Sequence, residues 1–479
     1  MNKIKTLAGE TAIYGLGSII PRMLNFFLVV LHTRIFLPEA YGIITNLYAW
    51  VAFLNIVYLF GMETAYFRFA TKEGAGEQKV FRVAQTFVLL VSLVITVSII
   101  SFSIPIAENF NLPEHADFII WLAVLMFVDA AVSIPFARLR LQKKAGRFAM
   151  AKLINVTILV GLNFYLLLFA YDASIGIGYV VLANLLANLF YLLFFFNVLV
   201  TWRPAWDREL FSFMFSYAYP VMLTGLAGMT NEMFSRITLQ WWLPENFYAG
   251  KTSDFALGVF GACYRFSVIM NLAVQAFRFA AEPFFFSHAA HKNSPALFAK
   301  VNHYFTIVCC FILLAVVINL DVLKYMLDAN YWEGLGIVPI LLIGYMFLGI
   351  YYNISIWFKL TDKTYFGTFI TTGGAVLTVL LNYLLIPIFG YMGSSLATLV
   401  CYVAMAVACY ALGQKYFPIP YRIIAGLAYL FYVLFLIQLS QLAALPTLAL
   451  SVSFHVLLMI IFLATVYWCE RKYWGASVD

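Results

Sequence analysis

Six ionisable side chains occupy positions deep inside apolar stretches of the sequence, where a charge is hard to accommodate. They are Arg22, Glu63, Asp129, Glu232, Arg236 and Arg265. A charged group at the centre of a lipid-facing helix costs about 2.5–3.5 kcal/mol or more, so each is expected to face a partner or a water-filled cavity. Guanidinium groups stay charged at any working pH and bind phosphate oxygens through paired hydrogen bonds. The arginines are therefore candidates for contact with a ligand in such a cavity, and the carboxylates for carrying a proton or sodium ion.

The stretch around Arg22 shows which way that charge points. At about 100° per residue, Ser18, Arg22 and Asn25 fall on one face of a helix and Leu24 falls on the opposite side. Pro21 cannot donate a hydrogen bond to the carbonyl one turn earlier, so a kink is expected beside Arg22. The small, polar face is predicted to meet a wet cavity, which makes Arg22 and Asn25 candidate ligand contacts.

Two later apolar stretches repeat this pattern. Glu232 and Arg236 are four residues apart on a glycine-containing face and could pair with one another. Arg265 shares a helical face with Gly258 and Gly261. Two interpretations of each buried arginine stay open, namely contact with a ligand and a structural tie to a carboxylate or a backbone carbonyl.

Two further arginines lie in a repeated FRFA motif near the ends of apolar stretches. Arg68 and Arg278 suit either anchoring at the cytoplasmic face of a membrane or contact with an arriving ligand. Among the carboxylates, Asp129 and Glu232 are predicted to couple to an ion gradient, and Glu63, nearer a helix end, is a third candidate. Structural pairing is the alternative for all three.

The elements that position these residues are membrane-spanning helices. The chain has 479 residues, of which 64% are hydrophobic and 11% charged, and its mean hydropathy is +0.91. Apolar runs of about 20 residues, each long enough to cross a hydrocarbon core, recur throughout. This pattern predicts an all-α polytopic membrane protein. The runs give about fourteen transmembrane helices, at 11–33, 42–65, 83–104, 117–137, 149–171, 176–200, 212–241, 255–281, 302–320, 335–358, 365–386, 391–413, 422–440 and 446–468.

The placement of Lys and Arg predicts the orientation. With the N-terminus in the cytoplasm, 23 of the 29 Lys and Arg fall in cytoplasmic segments and three in outer loops. This asymmetry follows the positive-inside rule and places both termini in the cytoplasm. The net charge of +7 is therefore a topology signal, and no nucleic acid is expected as a partner. The six cysteines form no CxxC pair, so neither a disulfide framework nor a metal site is expected.

An internal repeat divides the spans into two lobes. RIFLPEAYG resembles QWWLPENFYAG, AYFRFAT resembles QAFRFAA, and LNFYLLL resembles LNYLLIP, in each case six spans apart. An even number of intervening spans gives both copies the same orientation. The prediction is two parallel six-helix lobes, residues 1–205 and 206–414, followed by two extra transmembrane helices and a cytoplasmic tail in 415–479.

The whole chain resembles the multidrug/oligosaccharidyl-lipid/polysaccharide exporter superfamily, and in particular its polysaccharide (O-antigen-type) flippase branch. The likeness rests on GLGSIIPRMLNFFLVVLHTRIFLPEAYGI, GMETAYFRFAT and LLNYLLIPIFGYMGSSLATLVCYV. The resemblance implies transfer of undecaprenyl-pyrophosphate-linked oligosaccharide from the inner to the outer leaflet of a bacterial cytoplasmic membrane by alternating access. It also implies that arginines on the first, seventh and eighth spans line a cavity between the lobes and meet the pyrophosphate.

Other functions stay open on the sequence alone. A cation-coupled multidrug exporter predicts an acidic central cavity, and a lipid II-type peptidoglycan precursor flippase is a further alternative. A membrane enzyme is not expected, because the sequence has no P-loop, HExxH or GxSxG motif and no large outer loop. The prediction is a monomer without cofactors that is driven by a proton or sodium gradient. Its expected partners are a lipid-linked oligosaccharide, the bilayer and glycan-assembly proteins.

Overall fold

The chain is built from apolar helices joined by short connections. The structure, a computed structural model, describes residues 20–21, 23–71, 76–289, 293–443 and 445–474, and these ranges contain no β-strand. Twelve of the described helices are long and apolar enough to span a bilayer, and two shorter ones are similarly apolar. We label the fourteen helices α1 Met23–Ile35, α2 Pro38–Ala70, α3 Glu77–Ser101, α4 Ala116–Leu141, α5 Ala145–Leu168, α6 Gly178–Phe194, α7 Arg208–Trp242, α8 Ser253–His288, α9 Ser294–Ile318, α10 Ala329–Leu360, α11 Tyr365–Phe389, α12 Tyr391–Tyr416, α13 Ile423–Leu442 and α14 Leu448–Arg471.

Each of the fourteen helices overlaps one of the fourteen predicted spans, although residues 11–19 and Arg22 of the first predicted span lie outside the described residues. The predicted class, an all-α polytopic membrane protein, is therefore confirmed. The short helix α6 has 17 residues and would reach about 25 Å at 1.5 Å per residue, somewhat less than a hydrocarbon core. A further helical turn at Phe196–Thr201 follows it directly and extends its reach.

Helices α7 and α8 are longer than a bilayer requires. They run without interruption for 35 and 36 residues, although Pro220 lies inside the first and Pro283 inside the second. At 1.5 Å per residue each reaches about 53 Å, which exceeds the 40–45 Å of a bilayer with its headgroups. The spans predicted here, 212–241 and 255–281, are shorter than the two helices that the structure shows.

Helix α2 is interrupted near one end. It consists of Pro38–Leu59 and Met62–Ala70, and the two linking residues, Phe60 and Gly61, have positive φ angles of 51° and 69°. A Cβ atom on Gly61 would lie 2.6 Å from the backbone oxygen of Ala218 in α7. Both the left-handed backbone and the close approach of α7 require glycine at this position.

The chain divides into two compact units. The first, Met1–Ile237, has a hydrophobic core where α2, α3, α4, α6 and the first half of α7 meet. Its large buried side chains include Tyr58, Tyr66 and Phe81. The division by contacts falls inside α7, whereas the repeat in the sequence begins before it. The lobe boundaries at 205 and 414 stay a prediction about the repeat.

The second unit, Thr238–Asp479, is centred on α10. This helix packs against α8, α9 and α12, and the fully buried Trp357 lies near its end. A Cβ on Gly349 would lie 2.4 Å from Cζ of Phe305, so glycine allows α9 and α10 to approach closely. The two last helices join the unit through α9, which contacts both α13 and α14.

Candidate ion and substrate sites

A chain of hydrogen bonds surrounds Asp129 in the interior of the first unit. The Nδ2 atom of Asn188 donates to Oδ1 of Asp129 at 2.8 Å, which links α6 to α4. Asn155 on α5 donates in turn to Oδ1 of Asn188 at 2.9 Å and to the backbone oxygen of Ala187 at 2.8 Å. Three helices thus contribute side chains to one polar network around Asp129.

Lys152 brings a positive charge to the same network. Its Nζ atom lies 4.3 Å from the ring centre of Phe136 and 4.8 Å from that of Tyr191. Aromatic faces stabilise a cation in this position. Lys152 also attracts the charge of Asp129, without a direct salt bridge between them. The sequence analysis did not single out Lys152, because its position near Asp129 depends on the packing of α5 against α4.

Glu63 lies in a different environment from Asp129. It begins the second segment of α2 and forms a salt bridge with Arg140 near the end of α4. The guanidinium of Arg140 also lies over the Phe67 ring at 5.1 Å. The charge of Glu63 is therefore balanced by a neighbouring helix, an arrangement that favours a structural tie.

The polar face of the first span is described only in part. Arg22 lies outside the described residues, so its contacts are not part of the structure. Asn25 is half-buried on α1, and its Oδ1 atom is buried without a hydrogen-bond partner among the residues that the structure describes. A buried amide oxygen without a donor favours the approach of a ligand or of water.

Glu232 and Arg236 on α7 are not paired through their side chains. The Nη1 atom of Arg236 lies 3.5 Å from the backbone oxygen of Glu232, and it also contacts Sδ of Met233. Arg236 is 6% exposed, whereas Glu232 is half-buried. Within the described ranges the Glu232 carboxylate makes neither a salt bridge nor a hydrogen bond. The Arg236 guanidinium, although only four residues away, therefore does not neutralise the Glu232 carboxylate.

Arg265 is the candidate ligand-binding cation inside an apolar helix of the second unit. It lies half-buried on α8, and among the residues that the structure describes it has no hydrogen bond or salt bridge. A charged side chain in an apolar helix needs water or a ligand when no protein group supports it. Arg265 is thus the clearest candidate in this unit for meeting a charged ligand.

The two arginines of the FRFA repeat make the same kind of contact. Arg68 lies over the ring of Tyr217 at 4.3 Å, and Arg278 lies over the ring of Tyr352 at 4.5 Å. Arg278 is also 3.9 Å from Glu282. Stacking on an aromatic face fixes the position of a guanidinium and leaves its edge available for phosphate oxygens.

The described residues contain no cluster of three or more metal-ligating side chains. The six cysteines are free thiols, five of them buried and Cys469 exposed. Their distribution fits small apolar side chains in a helical core.

The fold defines a polytopic helical membrane protein. The chain belongs to the polysaccharide biosynthesis protein family, whose sequence pattern matches residues 31–292, more than half of the chain. No curated protein matches the chain in sequence.

Solved structures identify the fold. That of the lipid II flippase MurJ, in an inward closed conformation, aligns with a TM-score of 0.73 at 14% identity, over 95% of this chain and 99% of that one. An inward-facing multidrug resistance MATE family transporter of the MOP superfamily aligns with a TM-score of 0.63 at 15% identity, over 84% of this chain and 97% of that one. The family pattern confirms the resemblance to a polysaccharide-type branch, and these solved structures show that the chain shares the fold of the flippase and of the transporter.

Proposed function

We propose that the protein moves a polyprenyl-pyrophosphate-linked oligosaccharide from the inner to the outer leaflet of a bacterial cytoplasmic membrane by alternating access. The observation that carries the proposal is a polysaccharide biosynthesis sequence pattern on a fold that is similar to a lipid II flippase over 95% of the chain. MATE transporters of the same fold are known in inward- and outward-facing conformations, which supports the mode of transport.

Arginines contact the pyrophosphate of this substrate in our proposal. Arg265 is half-buried and has no partner among the described residues, and the Arg236 guanidinium lies near the backbone oxygen of Glu232 and not near its carboxylate. Arg22 and Asn25 complete the contacts near the membrane interior, and Arg68 and Arg278 contact the substrate at the cytoplasmic face. A guanidinium suits the task because it binds phosphate oxygens through two parallel hydrogen bonds and never loses its charge.

An ion gradient drives the cycle in this proposal, through a carboxylate inside the membrane. Asp129 has the strongest support, because its Oδ1 is held by Asn188 and Lys152 lies near enough to compete with a bound cation. Glu232 is a second candidate, since no described side chain pairs with it. Glu63 is also a candidate, although its salt bridge with Arg140 supports a structural role. A proton and a sodium ion both suit these groups.

Two alternatives have a specific observation behind them. The similarity to MurJ favours a lipid II-type peptidoglycan precursor, which shares the pyrophosphate chemistry. The similarity to MATE transporters favours a cation-coupled multidrug exporter. Half-buried Arg265 weakens the exporter alternative, because an unpaired arginine repels a cationic drug.

The test is flipping by the purified protein in proteoliposomes. Fluorescent polyprenyl-pyrophosphate oligosaccharide, lipid II and a cationic dye are compared, each with and without a proton or sodium gradient. We expect the oligosaccharide to be flipped, and we expect Arg22→Ala and Arg265→Ala to lower its rate by at least about tenfold, since each removes a charge-assisted contact worth roughly 1.5–3 kcal/mol.

Two comparisons make the result specific to charge and position. Arg22→Lys should retain part of the activity, because the cation remains while the bidentate geometry is lost. Arg203→Ala removes an exposed cation from the loop before α7 and serves as the matched control. Rates equal to those of empty liposomes for the oligosaccharide would contradict the proposed function, and preferential flipping of lipid II or dye would select an alternative.

A further inference from the structure

A small pocket lies inside the second unit, among α9, α10, α12 and α13. Its volume is about 140 Å³, which is room for a segment of a hydrocarbon chain. Most of its wall is apolar, and the side chains include those of Met346, Phe347, Ile350, Val407, Leu427 and Leu430. Gly426 on α13 contributes to the wall, and a Cβ there would be 3.5 Å from Cγ2 of Thr306. An apolar molecule or chain segment fits such a lining better than water does.

Polar groups line the pocket beside the start of α13. Arg422 directly precedes this helix, and its side chain is 37% exposed. Within the described part of the chain, the buried hydroxyl of Tyr421 has no hydrogen-bond partner, and neither does the buried Nδ1 atom of His303. Buried polar atoms of native proteins nearly always have a partner, so two orphaned atoms lining one pocket indicate a missing ligand or water.

The hydrogen-bonding character of these two atoms can be assigned. The Nε2 atom of His303 lies 2.9 Å from Oε1 of Glu470, and because a carboxylate only accepts, Nε2 donates. In a neutral imidazole Nδ1 is then an acceptor. Burial raises the pKa of Tyr421 above its ordinary value, so its hydroxyl keeps its proton and can donate.

The charges around the pocket balance one another. The Nη1 atom of Arg422 lies 3.7 Å from Oε2 of Glu470, and Oε1 of the same carboxylate also accepts from Tyr429 at 3.0 Å. One cation beside one anion suits a ligand that itself carries both charges. A polyprenyl pyrophosphate, with several negative charges, would be poorly matched to this single arginine.

We propose that this pocket binds a phospholipid whose headgroup carries both a phosphate and a primary ammonium, as in phosphatidylethanolamine. An acyl chain fills the apolar part, the phosphate accepts from Arg422 and Tyr421, and the ammonium donates to Nδ1 of His303. The bound lipid is a resident component of the second unit and is distinct from the transported substrate.

The test measures lipid retention by the full-length purified protein. Native mass spectrometry follows binding of phosphatidylethanolamine, phosphatidylglycerol and phosphatidylcholine to delipidated protein in detergent. Phosphatidylethanolamine should bind most tightly, because phosphatidylcholine has no N–H donor and phosphatidylglycerol carries a net negative charge. Arg422→Gln and Tyr421→Phe should each weaken its binding, the first by about tenfold, which corresponds to about 1.4 kcal/mol.

Two further variants keep the test decisive. Lys415→Gln removes an exposed cation from α12 that does not line the pocket, and it should leave lipid binding unchanged. Gly426→Leu fills the pocket without altering any charge, and it should abolish lipid binding. This variant tests the proposal independently of whether Arg422→Gln folds.

Equal binding of the three lipids, stronger binding of phosphatidylglycerol, or unchanged binding in Gly426→Leu would each overturn the proposal. This experiment measures the binding of a lipid that is not transported. A negative result would therefore not contradict the proposed flipping function.

Discussion

At Asp129, a carboxylate inside an apolar helix is held by a side-chain amide instead of a directly bonded cation. Asn188 orients one of its oxygens, and Lys152 supplies a positive charge at a longer range while stacking on Phe136. In the proposed cycle, a proton or sodium ion binds and leaves at this carboxylate without breaking a salt bridge. It differs from the position of Glu63, whose charge is neutralised by Arg140.

The first prediction concerns this carboxylate. Asp129→Asn preserves the shape of the side chain and removes its charge, so the rate of flipping should lose its dependence on the ion gradient. Initial rates in proteoliposomes with and without the gradient measure the effect. Asp117→Asn, at the exposed start of the same helix, is the control and should behave as wild type. A gradient response that survives in Asp129→Asn would remove this residue from the coupling mechanism.

The second prediction concerns Asp207, which lies just before α7. A hydrogen bond from Lys79, at 2.5 Å between Nζ and Oδ2, and one from the backbone of Leu210 hold the pKa of Asp207 below its ordinary value. A depressed folded-state pKa contributes stability above the unfolded value of about 4, and this contribution is lost as the pH falls through the folded-state pKa.

Asp207→Asn should therefore lower the Tm at pH 7. The Tm values of the variant and of the wild type should converge as the pH falls below about 4 and through the folded-state pKa. Thermal unfolding of the detergent-purified protein across this pH range measures the difference. Glu209→Gln, an exposed acid two residues later, controls for the loss of one negative charge. A difference that is independent of pH would show that the ion pair with Lys79 is not its source.

At the scale of helices, the second unit depends on close approach at glycine. In the third prediction, Gly349→Ala places a Cβ 2.4 Å from Cζ of Phe305 and 2.9 Å from Cγ2 of Val274. Overpacking of this kind costs about 1–3 kcal/mol, so the Tm and the yield of folded protein should fall. Gly373→Ala is the matched control, because a Cβ there meets no atom within 4 Å. An equal Tm in both variants would contradict the tight packing of α8, α9 and α10.

The helices themselves were predictable, because a membrane span is a run of about 20 apolar residues that can be recognised in the sequence. The partners of their polar residues were not. Spacing suggested that Glu232 pairs with Arg236, yet the guanidinium lies near a backbone oxygen. The contact of His303 with Glu470 joins residues 167 positions apart, and no local pattern reports a contact at that distance.

At the scale of the molecule, the fourth prediction tests the orientation that the positive-inside rule implies. A cysteine introduced by Glu245→Cys, in the loop before α8, should react with a membrane-impermeant maleimide in intact cells. One introduced by Lys415→Cys, at the end of α12, should react only after permeabilisation. Both substitutions are made in a Cys469→Ser background, since the five other thiols are buried. The opposite labelling pattern would invert the topology.

The two units carry comparable ties at the ends of corresponding helices. Glu63 on α2 bonds to Arg140 on α4, and Glu282 on α8 bonds to Lys359 on α10. The predicted repeat pairs α2 with α8 and α4 with α10, and under that prediction both units join the same pair of helices with an acid and a base. The helices could be read from the sequence because they depend on patterns along the chain, whereas the salt bridges and hydrogen bonds between them depend on distances between helices.

Gly61 has a consequence for genetics. A growth-based mutational scan would find almost no tolerated substitution there, because a side chain would strike the backbone of α7 and demand a left-handed conformation. Such a scan would give the same score to an arginine that touches the substrate. Intolerance at Gly61 reflects the packing of α2 against α7. Measuring the amount of protein in the membrane alongside growth distinguishes such a packing residue from one that contacts the substrate.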